Sequence, residues 1–137
     1  MFALGVAVAP LSHLEDWAGL LHGTPVILFA AACALNSLGI RLWENEGSPD
    51  PELVMLRRLY PWLLVAVAGG GLMQAWAADE WTRPVLWGVA GCAAGFGILH
   101  AGRQWPAAAR ALAADSLMVG MALLVRWASM SGLPWKD

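Results

Sequence analysis

Of this chain's 137 residues, 59% are hydrophobic and only 13% charged, with a mean hydropathy of +0.59. A soluble domain of this length needs about twice that charge fraction to cover its surface, so lipid must cover part of this one, and there is room for one domain. The net charge of −2 rules out nothing by itself, but the lack of a basic stripe to release counterions from phosphates argues against a nucleic-acid binder.

Residues 1–10 are apolar but too short for a span, which takes about 20 residues. No Lys or Arg precedes them, as a signal peptide would require. Four apolar runs of spanning length follow, at about residues 24–43, 60–78, 84–102 and 107–128. They are continuous rather than alternating, so they fit helices and not the strands of a barrel. The expected fold is all-α: an integral membrane bundle of about four transmembrane helices, one domain over residues 1–137.

Pro25, Pro61, Pro84 and Pro106 stand at or near the starts of the runs, where a missing N–H has no helical partner to lose. Thr24 and Thr82 read as caps. The longest loop, 44–59, turns at Gly47-Ser48-Pro49 and restarts with Asp50 as a cap and Pro51 in a first turn. Leu53, Leu56 and Leu59 share a face there, which predicts a short interfacial helix leading into the second span. Short turns after the second and third runs place neighbouring helices antiparallel and adjacent. Gly69-Gly70-Gly71 interrupts the second run, and Gly91 and Gly95 form a GxxxG suited to packing within the bundle. Trp43, Trp62, Trp76, Trp81, Trp87, Trp105 and Trp127 lie near run ends, as interfacial aromatic rings do.

Arg41, Arg57, Arg58, Arg103 and Arg110 fall on one side, against Arg83, Arg126 and Lys136 on the other. The richer side is expected in the cytoplasm. That makes this a multi-pass cell-membrane protein with loops 44–59 and 103–106 cytoplasmic and both termini outside.

Ionisable groups within spans are functional candidates. Asn36, Arg41 and Glu44 lie at the cytoplasmic end of the first helix, with Glu46 just beyond. His100 and Arg103 lie at that end of the third, and Asp115 in that half of the fourth. Arg41 and Arg103 also suit snorkelling to headgroups, and His100 also suits a bond to a neighbouring helix. Asp115 needs a partner, which Arg110, His100 or Arg103 could supply. The ligand-binding candidates are therefore Asn36, Arg41, Glu44, His100 and Asp115; no catalytic residue stands out. His13 and His22 fall on the other side from His100, so no metal trio or paired-histidine haem site forms. Neither a phosphate loop nor a nucleophile elbow is present. Cys33 and Cys92 sit in apolar runs, form no CxxC, and read as small buried hydrophobes.

The stretch from Pro25 to Glu46, PVILFAAACALNSLGIRLWENE, resembles a helix and cytoplasmic loop of the UbiA-type membrane prenyltransferases, and RALAADSLM from Arg110 is similar to their late spans. The resemblance covers most of the chain. It implies an all-helical membrane protein corresponding to the last four of nine spans, with residues 1–10 as the tail of the fifth. Members bind a prenyl diphosphate through Mg²⁺ on two acidic motifs, the second roughly D-x-x-x-D-x-x-x-D. Here those positions read Asn36, Ile40 and Glu44, so one carboxylate remains. Mg²⁺ bridges a diphosphate through carboxylate or water oxygens, and one Glu with one Asn is a poor cage. No prenyl transfer is expected from this chain alone, and Mg²⁺ is implied only if the resemblance is functional. The partners implied are the bilayer, an isoprenoid lipid and a membrane protein. A small accessory or structural subunit of a larger membrane complex is the alternative.

Overall fold

The computed structural model describes residues 23–79 and 82–130. The expectations for residues 1–10, His13, His22, Trp81 and Lys136 lie outside the described residues. Four helices follow in order: α1 Thr24–Glu44, α2 Pro51–Ala77, α3 Arg83–Ala101 and α4 Ala107–Met130. All four are long and apolar enough to cross a membrane. The described residues contain no strand, so the fold is an all-α bundle.

α1 and α3 form the closed diagonal of the bundle. Each packs on the other and on both flanking helices, while α2 and α4 lie on opposite sides. The buried positions of α1 are Ala32, Leu35, Asn36, Gly39, Leu42 and Trp43, the three- and four-residue spacing of one helical face. Those of α2 are Leu53, Tyr60, Leu64, Gly71 and Ala75, alternating sevens and fours along a single seam. Phe96 and Tyr60 are fully enclosed at the centre. Gly71 brings α2 against α3: a Cβ there would lie 3.1 Å from the Leu86 carbonyl oxygen, tighter than ordinary contact, so glycine suits this close approach.

Three local expectations need correction. Pro61 starts no helix; it lies inside α2, which runs unbroken from Pro51 through the segment expected as a separate interfacial helix. The seam from Leu53 to Leu64 packs across the proline on both sides, and that packing outweighs one missing backbone bond. Thr24 and Thr82 cap nothing with their side chains. Gly23 is the N-cap of α1, and Thr82 instead gives its backbone N–H to the Asp79 carboxylate at 2.7 Å. Asp50 does cap α2, accepting from the Glu52 N–H at 3.0 Å.

Trp62, Trp76, Trp87, Trp105 and Trp127 are exposed on the outside, as interfacial rings should be. Trp43 is not one of them. It is 3% exposed, because its ring faces the bundle interior and its N–H finds a partner there.

Candidate functional site

The polar residues gather at the end of the bundle formed by the last turns of α1 and α3, the start of α4 and the loop after α1. Asn36 and Trp43 are two turns apart and share the inward face of α1. From Trp43, the indole N–H donates to His100 Nδ1 on α3 at 3.3 Å. His100 therefore carries its ring proton on Nε2. Tyr60 on α2 tilts against the His100 ring, centroids 5.0 Å apart, and its hydroxyl donates to the Leu35 carbonyl at 3.2 Å. One tryptophan, one histidine and one tyrosine thus tie three helices together.

The charged layer lies just outside. Arg110, in the first turn of α4, turns inward, with its side chain 3% exposed. Its guanidinium sits over the Trp43 ring, 5.6 Å from the centroid, and pairs with the Glu46 carboxylate. Arg103 lies 4.0 Å from the other Glu46 oxygen. Arg57 reaches from α2 to the Asn45 carbonyl at 3.2 Å. The loop after α1 is thereby strapped to α2 and α4. The Arg110 hydrogen bond holds the Glu46 carboxyl below the usual carboxylate range, against a partial desolvation that raises it, and the charges of Arg110, Arg103 and Arg57 help.

Asp115 has a different partner from any expected. Five residues separate it from Arg110, which on a helix is about 140° of rotation, so the two face different ways. Arg110 enters the bundle, and Asp115 emerges beside α1. There it accepts a 2.9 Å hydrogen bond from Asn36 Nδ2 while remaining exposed. Asn36 is buried, and its Oδ1 has no hydrogen-bond partner.

Of the five candidates, the structure joins Asn36 to Asp115 and sets His100 about two turns nearer the end of the bundle. Arg41 and Glu44 are exposed at the rim and stand apart. Sequence reasoning missed Glu46, Arg110, Trp43 and Tyr60 as parts of one network. The seven-residue spacing from Asn36 to Trp43 was the available signal, since it puts the two on one face. The Mg²⁺ site implied by the resemblance does not fit: position 36 offers one neutral amide oxygen, position 40 is aliphatic, and the one carboxylate, Glu44, is exposed and stands apart. Among the described residues, no group of three His, Cys, Asp or Glu gathers that could hold a metal.

No protein-family model matches the chain, and no curated protein or solved structure is significantly similar to it.

Proposed function

We propose that this chain crosses the bilayer four times with its arginine-rich end in the cytoplasm. In this reading it is a non-catalytic counterpart of the last four spans of a UbiA-type prenyltransferase, holding an isoprenoid lipid without processing a diphosphate. One observation carries it. The two stretches that resemble that family, residues 25–46 and 110–118, lie side by side and bond at two depths, Asn36 to Asp115 and Glu46 to Arg110. Arg41, Arg57, Arg58, Arg103 and Arg110 at one end, against Arg83 and Arg126 at the other, support the orientation. The absence of transfer follows from the single carboxylate left in the motif.

The test is a photoreactive isoprenoid in vesicles holding the purified chain. Crosslinks are expected along the α1–α4 seam, lowered several-fold by Asn36→Ala or Asp115→Ala, with no prenyl transfer when Mg²⁺ and a prenyl diphosphate are added. Crosslinking unchanged in both variants would remove the site. A second reading, an accessory subunit beside another membrane protein, is favoured by the exposure of Asp115 on α4.

A further inference from the structure

α4 presents one outward face along its length. Leu112, Asp115, Ser116, Val119, Leu123 and Trp127 recur at helical spacing, and all are exposed. The outward face of α2 carries Arg58 near its start, but beyond it Trp62, Val65, Met73 and Trp76 are apolar, as contact with acyl chains favours. On α4 the apolar face is broken by Asp115. It is the ninth of the 24 residues of α4, more than two turns inside the helix.

Facing acyl chains at that depth is among the costliest placements for a carboxylate. The protein itself does little to relieve it. Asp115 accepts one hydrogen bond, from Asn36, and Ser116 turns its hydroxyl back to the Leu112 carbonyl at 2.7 Å. Arg110, the cation nearest along the chain, faces inward and pairs with Glu46. The face is therefore apolar on either side of Asp115 and short of donors beside it.

We propose that this face of α4 docks a transmembrane helix of a partner protein, which sets an amide or cationic side chain against Asp115. The argument is one of charge complementarity. A second copy of the chain fits poorly, because α4 against α4 would bring two carboxylates together with no new donor.

The test uses the full chain, donor-labelled, in phosphatidylcholine vesicles with an acceptor-labelled polyleucine transmembrane peptide carrying one asparagine at its midpoint. The all-leucine peptide is the control. Energy transfer is expected to show about tenfold tighter association for the asparagine peptide, the size of an interhelical hydrogen bond in lipid. Asp115→Leu should abolish the preference, and Met73→Ala, on the exposed face of α2, should keep it. Val119→Trp blocks the same face one turn further on and should also abolish it, which covers the case in which Asp115→Leu does not fold. Equal binding of both peptides, or a preference that survives Val119→Trp, overturns the proposal. So does Asp115-dependent transfer between two labelled copies of the chain without peptide. The assay contains no isoprenoid, so its failure and that of the lipid-binding reading are separate results.

Discussion

Glu46→Ala will destabilise the bundle by about 2–4 kcal/mol, and by more than Arg110→Met, although both break the same ion pair. The asymmetry comes from burial. Arg110 has a side chain 3% exposed, whereas Glu46 is 39% exposed. Without Glu46 the guanidinium is left enclosed with no carboxylate, and its Nε already lacks a partner. Without Arg110 the carboxylate is simply hydrated, and methionine keeps much of the contact with Trp43. Water at Glu46 screens the pair, so the cost lies below that of a fully buried one. The double variant should be more stable than Glu46→Ala alone. Acid gives a second readout. The folded-state pKa of Glu46 is lowered, so its contribution is complete above the ordinary glutamate value of about 4.3 and is lost as pH falls through the lowered value. That acid-side loss should be absent from Glu46→Ala. Unfolding by sodium dodecyl sulfate in mixed micelles, followed by circular dichroism, measures both effects.

Gly39→Ala will cost about 1–3 kcal/mol, while Gly91→Ala will be neutral or stabilising by up to about 1 kcal/mol. A methyl group at Gly39 would overlap the Tyr60 hydroxyl oxygen and lie 3.1 Å from the ring carbon that bears it. Tyr60 cannot retreat. It is fully buried, its hydroxyl is bonded to Leu35, and its ring is set against His100. The overlap therefore forces α1 and α2 apart and strains the Trp43–His100 bond with them. Tyr60→Phe in the Gly39→Ala background removes the overlapping oxygen and should recover part of the loss. At Gly91 no atom lies within reach of an added methyl, so alanine adds helix propensity at no steric cost. The same micelle titration distinguishes the two glycines. It also divides the GxxxG of α3, in which Gly95 meets Leu117 of α4 and Gly91 meets nothing.

The spans were legible because length and hydropathy alone define them, and the observed helix ends lie close to the expected ones except at α2. Which way each helix faces was not legible. In lipid both the outer and the inner faces of a span are apolar, so the periodicity that marks a soluble helix is weak. Only polar residues mark a face, and they mislead when they stand alone. Asp115 reads as the partner of a nearby arginine until the five-residue step to Arg110 is placed on a helix. Trp43 reads as interfacial because it sits at a run end, yet its position two turns after Asn36 carries it inside. Pro61 reads as a helix start because the seam that keeps α2 continuous through it depends on contacts from other helices. At the candidate site, the end of the bundle was legible from the clustering of Asn36, His100 and the arginines. The pairing of Glu46 with Arg110 was not, since it joins residues 64 apart in the chain.

The central claim is that the helices cross the membrane, and single cysteines on either side of α2 and α3 test it most directly. Cys33 and Cys92 are replaced by alanine, and one cysteine is placed at Pro49, Ala77 or Gln104, which flank α2 and α3. Labelling with a membrane-impermeant maleimide in inside-out vesicles is expected at positions 49 and 104 and not at 77; right-side-out vesicles should give the reverse. Labelling of all three from the same side would contradict the claim.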